Sequence, residues 1–207
     1  VLSEACHQLH LCQLEYDANS LTISVNLSTK QFSQLNLIEQ ISSILQSTGL
    51  NPCSLKLEIT ETAIMENAES AAEMLRQLRD LGIEIYMDDF GTGYSSLSSL
   101  HHFPVDLLKI DQSFINGLEN GAEKSKIVQT IMTLTQNLGI NAIAEGVETT
   151  EQISILRMLQ CKFGQGYFFS KPLDRAAAAT IIAQQSNPAG EVTFYPNFLH
   201  NPPEKTA

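Results

Sequence analysis

The chain has 207 residues, enough for one well-packed domain, and 43% of them are hydrophobic. Its formal net charge of −11 argues against duplex DNA as a partner, because such a partner needs a basic stripe. No apolar run is long enough for a membrane span and the four cysteines form no C-x-x-C pair, so we expect a cytoplasmic protein without a zinc knuckle or a disulfide framework.

Short Leu-rich or β-branched runs alternate with segments of helical periodicity along the chain. A helix is predicted over residues 1–14 and another over residues 174–185. Ser28 with Gln31 and Thr149 with Gln152 form capping boxes at helix starts. Glycines predicted to end helices are Gly49, Gly82 and Gly139. Strands are predicted at Leu21–Asn26, Leu55–Thr60, Ile83–Asp88, Leu107–Ile110, Asn141–Glu145 and Phe163–Phe168. This alternation favours a parallel sheet.

The predicted strands have one apolar face and one polar face. In Leu55–Thr60 the polar face carries Lys56, Glu58 and Thr60. An open sheet covered by helices on both faces would bury these groups at high cost, whereas a closed barrel places them in its interior. We therefore predict an α/β fold, a TIM-like (β/α) barrel. About six of the eight strands are visible and the chain begins within a helix, so we expect the barrel to be incomplete at the N-terminus.

Domain organisation follows from the same pattern. Residues 1–185 are predicted to form the barrel that lacks its first strands. Residues 186–207 contain four prolines and little periodicity, and are predicted to be a C-terminal tail or a linker.

Polar residues lie at or just past the carboxyl ends of these strands: Asn26, Glu58, Asp88, Asp89, Lys109, Glu145 and Gln165. A barrel brings such positions into one ring. The oxygen ligands in this set suit Mg²⁺ or Mn²⁺, and adjacent aspartates could bridge two ions for phosphodiester hydrolysis. Lys109 could hold a water or a phosphate oxygen, and Glu145 could bind metal or accept a proton.

Other interpretations of the same residues stay open. Asp88 and Asp89 could belong to a solvated turn, Glu58 and Lys109 could form an interior ion pair, and Gln165 could serve packing alone. Lys109 could also form a Schiff base in a lyase, although the acidic cluster argues against that chemistry.

Six motifs occur in order along the chain: VNLS (25–28), LEITET (57–62), DDFGTGYSSL (88–97), FPVDLLKID (103–111), AEGVET (144–149) and QGYFFSKPL (165–173). Together they strongly resemble the EAL domain of bacterial cyclic di-GMP phosphodiesterases, and the resemblance runs from residue 1 to about residue 182. The resemblance implies a TIM-like barrel with one reversed strand. It also implies hydrolysis of cyclic di-GMP to linear pGpG, through two-metal activation of water by Mg²⁺ or Mn²⁺.

The resemblance also implies roles for individual residues. Asn26, Glu58 and Asp88 resemble metal ligands, and Asp89 resembles a ligand of the second ion. Lys109 resembles a water-positioning lysine, and Glu145 resembles the base and metal partner. Glu61 resembles the glutamate that anchors the loop 89–96, and supporting positions are matched by Glu148 and Gln165.

One departure from the family is large, because the Glu-Ala-Leu motif itself is absent. Glu4-Ala5-Cys6 lies within the opening helix and is not that motif. We favour a fragment of a longer protein over a chain that is naturally short. The alternative function is an inactive module that binds cyclic di-GMP or a protein partner. By analogy we expect a possible homodimer, and a diguanylate-cyclase or sensor domain in the parent protein.

Overall fold

The computed structural model describes residues 1–92 and 100–185. Residues 93–97 of the DDFGTGYSSL motif and the predicted tail 186–207 lie outside this part of the chain. The strands are β1 (Ile23–Leu27), β2 (Leu55–Thr60), β3 (Glu84–Phe90), β4 (Leu107–Ile110), β5 (Asn141–Ala144) and β6 (Phe163–Gly164). The described α-helices are α1 (Leu2–Tyr16), α2 (Thr29–Phe32), α3 (Leu37–Thr48), α4 (Glu61–Met65), α5 (Ala68–Asp80), α6 (Gln112–Ile115), α7 (Ala122–Leu138), α8 (Thr150–Met158) and α9 (Arg175–Gln185).

The six strands form one sheet in the order β1-β2-β3-β4-β5-β6. The pairs β1–β2, β2–β3 and β5–β6 are parallel. Helices follow the strands in the chain, so the predicted α/β class with a parallel sheet is confirmed. In register, Asn26 lies opposite Glu58, and Thr60 lies opposite Asp88.

The described chain divides into two compact units. The first contains residues 1–92, 100–108 and 173–185, and the second contains residues 109–172. Fully buried side chains of the first unit include Leu57 and Ile85, and those of the second include Ile110 and Leu156. Each unit therefore has apolar groups that are removed from water, the main favourable term in folding.

Helix starts follow the predicted capping chemistry. Both capping boxes are present, at Ser28 with Gln31 and at Thr149 with Gln152. Asp174 caps α9, since its Oδ1 accepts a hydrogen bond from the Ala177 amide at 2.9 Å. These local signals are confirmed because a cap depends only on residues within one helical turn.

The glycines that were predicted to end helices also agree with the structure. Gly49 and Gly139 are C-caps with left-handed backbone, as predicted. Helix α5 ends at Asp80, and Gly82 follows it with φ +91°.

Three of the predicted strands have wrong bounds. Strand β1 runs from Ile23 to Leu27. It does not begin at Leu21, because the Leu21 amide bonds Ala18 O in a turn and Leu21 O accepts from Gln13 Nε2. Strand β3 begins at Glu84 and continues to Phe90, since the Ile83 amide closes the end of α5. Strand β5 ends at Ala144, one residue before the predicted Glu145.

The largest error concerns the last strand, predicted over Phe163–Phe168. Only Phe163–Gly164 is strand. The Phe169 and Ser170 amides both bond Gly166 O, so the chain turns at Gly166 instead of continuing the ladder.

Among the helices of residues 1–92 and 100–185, none is long and apolar enough to cross a bilayer.

Candidate active site

Asn26 and Glu58 are neighbours on the first two strands. They are register partners, and parallel partners lie about 4.8 Å apart with side chains on the same face. Glu58 is buried and also lies opposite Tyr86 of β3, whereas Asn26 is exposed. The arrangement places an amide oxygen beside a buried carboxylate, a pair of groups that can share one hard cation.

Asp88 and Asp89 end the regular part of β3. Asp88 is partly buried and its Oδ1 accepts a hydrogen bond from the Asp89 amide at 3.0 Å. Asp89 is exposed and has φ +54°, a left-handed conformation that Asp adopts more readily than most residues. Its carbonyl accepts from Thr92 Oγ1 at 2.8 Å, which stabilises the bend. Regular strand geometry would direct adjacent side chains to opposite faces, and the bend interrupts that alternation.

Glu61 connects the segment after β2 to the segment after β3. It is the first residue of α4 and is 2% exposed. Its Oε2 accepts a hydrogen bond from the Gly91 amide at 2.9 Å. Gly91 has φ +96°, a backbone that favours glycine. Glu61 therefore holds the beginning of the loop after Asp89, while residues 93–96 of that loop lie outside the described residues.

Lys109 and Glu145 form an ion pair within the second unit. Lys109 is on β4 and Glu145 directly follows β5. The distance from Lys109 Nζ to Glu145 Oε1 is 2.7 Å, and the two side chains are 5% and 17% exposed. A pair this close and this buried fixes both groups in one geometry. Glu145 is thus a partner of Lys109. The ion pair between Lys109 and Glu58 that the sequence interpretation left open stays a prediction.

The backbone around Glu145 is closely packed on the segment after β4. The Glu145 amide donates to Ile110 O at 3.1 Å. Gly146 follows with φ +67°, and a Cβ at this position would lie 2.7 Å from the Cβ of Gln112. Only glycine fits there, so the position of Glu145 depends on a residue without a side chain directly after it.

Gln165 and Glu148 lie beside this segment, with both side chains exposed. The Gln165 amide donates to Ala144 O at 2.8 Å, so Gln165 adjoins the end of β5. The Glu148 amide donates to Gln152 Oε1 at 2.8 Å, at the start of α8. These contacts place the two residues near Glu145 along the backbone.

Two residues that contact site elements were not singled out as site residues from the sequence. Asp106 accepts from the Ile85 amide at 2.9 Å and pairs with Arg79 at 3.0 Å, which ties β3 to the chain entering β4. Gln152 was identified only as a capping residue, but its Nε2 also donates to Ile115 O at 3.2 Å. A long-range partner has no signal in the local sequence, so single-sequence reasoning could not find either contact.

A parallel α/β sheet with carboxylates and an amide at its strand ends defines a class of protein that can bind hard divalent cations through oxygen ligands. The chain belongs to the EAL domain family, whose sequence profile matches residues 1–172. EAL domains adopt a TIM-like barrel, and the present strands and helices belong to that fold.

The chain is similar to several relatives of known name. It is 40% identical over 182 residues to the cyclic di-GMP phosphodiesterase NbdA of Pseudomonas aeruginosa, covering 88% of this chain and 23% of the relative. The PaMucR phosphodiesterase in its c-di-GMP complex superimposes with a TM-score of 0.82 at 38% identity, covering 86% of this chain and 71% of that one. The manganese and cyclic di-GMP complex of BlrP1 from Klebsiella pneumoniae has a TM-score of 0.73 at 28% identity, covering 83% and 44%.

These alignments cover most of this chain but a much smaller share of each curated relative. The chain spans about a quarter of the length of the curated relatives that it matches. Those relatives therefore contain further sequence that has no counterpart in these 207 residues.

Proposed function

We propose that this chain is the catalytic EAL domain of a phosphodiesterase that hydrolyses cyclic di-GMP to linear pGpG with two Mg²⁺ or Mn²⁺ ions. The observation that carries the proposal is the buried Lys109–Glu145 pair at the end of β4 and β5, in a chain of this family. Further support comes from the acidic residues Glu58, Asp88 and Asp89, which lie at or near the ends of β2 and β3. In parallel sheets the carboxyl ends of the strands are where ligands bind.

The donor chemistry of the side chains fits the proposed ions. Asn26, Glu58 and Asp88 would bind one ion, and Asp89 would bind the second, with Glu145 contributing to the site. All five offer oxygen atoms, which Mg²⁺ and Mn²⁺ prefer, and none is a thiol or an imidazole that would favour zinc. When bound, such ions would stabilise negative charge on the phosphate and make a water molecule more acidic.

Orientation of the water and transfer of its proton would depend on two side chains of the protein. Lys109 would orient the attacking water or a phosphate oxygen, and Glu145 would accept the water's proton. The water oxygen would form the new bond to phosphorus, the ester bond to the ribose oxygen would break, and that leaving oxygen would take up a proton from solvent. The 2.7 Å contact would keep Lys109 and Glu145 together before substrate arrives.

Supporting residues would act through the backbone. Glu61 would hold the loop after Asp89 through its bond to the Gly91 amide. Glu148 and Gln165 would support the segment that carries Glu145. These three residues are proposed to position the site without themselves reacting.

The organisation of the parent protein forms a separate part of the proposal. Residues 1–185 would be the EAL unit and residues 186–207 a tail or linker. We propose a cytoplasmic protein with a sensor or diguanylate-cyclase domain elsewhere in the parent chain, and assembly as a homodimer. The coverage of about a quarter of the relatives supports a longer parent.

Replacement of Asp88 by Asn in the full-length protein tests the function. The change removes a charge and keeps the shape, so Mn²⁺-dependent formation of pGpG should fall by at least about 100-fold. Asp80→Asn is the matched control, because Asp80 is exposed at the end of α5 and loses the same charge.

The outcomes separate the two candidate functions. Unchanged turnover in the Asp88→Asn variant would refute the assignment of this residue. Binding of cyclic di-GMP by the unaltered protein without any pGpG would instead support a module that only binds the nucleotide.

A further inference from the structure

Gln152 has more contacts than a capping residue needs. It is 3% exposed, and its Oε1 accepts hydrogen bonds from the amides of Glu148 at 2.8 Å and Thr149 at 3.1 Å. Its Nε2 donates to Ile115 O at 3.2 Å. A capping glutamine uses only the acceptor side. The donor side therefore serves another purpose.

The capping box at Ser28 shows the difference. Gln31 accepts from the amide and the hydroxyl of Ser28, and its side chain is exposed. Its described hydrogen bonds stay within residues 28–34. Gln152 instead reaches a carbonyl 37 residues earlier in the chain. A buried amide that satisfies three backbone groups at once is costly to replace.

The partners of Gln152 follow the two residues of the ion pair. Ile115 is on helix α6, which comes after the strand of Lys109. Glu148 and Thr149 come after Glu145. Gln152 thus joins the two segments that emerge from the strand ends carrying Lys109 and Glu145. All of these residues belong to the second unit.

Two other contacts join the same segments closer to the pair. The Glu145 amide donates to Ile110 O, and Gly146 packs on the side chain of Gln112. These contacts fix the near end of the two segments, and Gln152 fixes the far end. Without the bond from Gln152 to Ile115 O, the two segments would be free to pivot about the contacts near Glu145. Such a movement would lengthen the Lys109–Glu145 distance.

We infer that Gln152 is a positioning residue that sets the geometry of Lys109 and Glu145 by bridging the segments after β4 and β5. The inference rests on the proposed function only for its effect on turnover. Its structural consequence, the closure of the two segments on each other, does not depend on the substrate.

Two variants of the full-length protein separate the bridge from the cap. Gln152→Glu keeps the oxygen that accepts from Glu148 and Thr149, but it cannot donate to Ile115 O. Gln152→Met has a similar length and loses all three bonds. If Gln152 only caps α8, the Glu variant behaves like the unaltered protein; if it bridges, both variants are impaired.

A matched control is available in the first unit. Gln13 is also a buried helical glutamine, and its Nε2 donates to Leu21 O at 2.8 Å and to Ser54 Oγ at 3.0 Å. These partners precede β1 and β2, so they lie at the amino ends of strands. Gln13→Met should lower stability without affecting the chemistry.

The measurements are kcat and KM for cyclic di-GMP with Mn²⁺, and hydrogen exchange of the Glu145 amide without metal or substrate. Misplacement by about 1 Å can cost about 100-fold in rate. We therefore expect kcat to fall about 10- to 100-fold in both Gln152 variants, with KM within about threefold, and Glu145 exchange to become about tenfold faster. Gln13→Met should change neither quantity by more than about twofold.

The inference is overturned if Gln152→Glu retains the kcat and the Glu145 exchange rate of the unaltered protein. An equal loss of kcat in Gln13→Met would also overturn it, since the effect would then follow stability alone. If the unaltered protein forms no pGpG, the proposed function fails by itself. Faster Glu145 exchange in Gln152→Glu would still support the bridge, and unchanged exchange would reject it.

Discussion

Replacement of Lys109 by Met removes the cation from the buried ion pair and keeps a side chain of similar length. At 2.7 Å, two unit charges attract by about 6 kcal/mol at an effective dielectric constant of about 20. Part of that attraction offsets the loss of hydration of Lys109, which is 5% exposed. Measured losses from breaking buried pairs are about 3 to 5 kcal/mol, and Glu145 keeps 17% exposure. We expect unfolding free energy to fall by about 3 kcal/mol.

The assay is urea unfolding followed by circular dichroism, in EDTA so that no cation replaces Lys109. A loss of about 3 kcal/mol corresponds to a midpoint shift of about 1 M or more, since urea slopes for chains of this size are about 2 to 3 kcal/mol per M. The double variant Lys109→Met with Glu145→Gln also removes the carboxylate that faces the missing cation, so it should recover at least half of the loss. A loss below about 0.5 kcal/mol in the single variant, or no recovery in the double one, would refute this reasoning.

Two further predictions concern packing and pH. Gly166→Ala would place a Cβ 2.2 Å from Val147 O and 2.3 Å from Val147 N, so it should lower the unfolding free energy by more than about 3 kcal/mol in urea unfolding. Gly139→Ala is the control, because the space around Gly139 is open, and it should cost only about 1 to 2 kcal/mol. Similar losses for both variants would contradict the argument. Burial raises the pKa of the Cys161 thiol from 9.0 to about 11, and this change is worth roughly 3 kcal/mol. The stabilisation that comes from keeping the buried thiol neutral is complete below pH 9 and is lost as the pH rises through 11. The difference in unfolding free energy between the unaltered protein and Cys161→Ala should therefore narrow by up to roughly 3 kcal/mol between pH 8 and 11. A difference independent of pH would show that the thiol does not ionise on unfolding.

Much of the fold could be predicted because its signals are local. The bounds of Leu55–Thr60 and Leu107–Ile110 agree with β2 and β4, since each apolar run ends at a turn or a cap. Both capping boxes form as expected for the same reason. The last strand was wrong because the aromatic residues after Gly164 have strand-like composition. What ends the strand is the close approach of Gly166 to Val147, a contact between distant positions that composition does not encode.

The candidate site shows the same division between local and distant information. Period-two alternation along β2 was enough to place Glu58 on the polar face, opposite Asn26 of the neighbouring strand. The contact between Lys109 and Glu145 was not predictable in this way, because period-two alternation places residues on a face without saying which of them meet. The three-dimensional arrangement shows that Glu145 lies 2.7 Å from Lys109. Whether these residues bind metal and act on cyclic di-GMP stays a prediction until the variants are measured.

In each unit a buried side chain holds the backbone near a candidate catalytic residue. In the first unit Glu61 accepts from the Gly91 amide, two residues after Asp89. In the second unit Gln152 accepts from the amides of Glu148 and Thr149, shortly after Glu145. These bonds are made by main-chain amides, so they restrict where the carboxylates of Asp89 and Glu145 can lie without using those carboxylates as acceptors. A loop that follows a strand would otherwise be among the more mobile parts of a fold, and phosphodiester hydrolysis depends on positions held within about 0.5 Å. Buried groups that bind the backbone after each strand therefore reconcile loop-borne chemistry with the precision it requires.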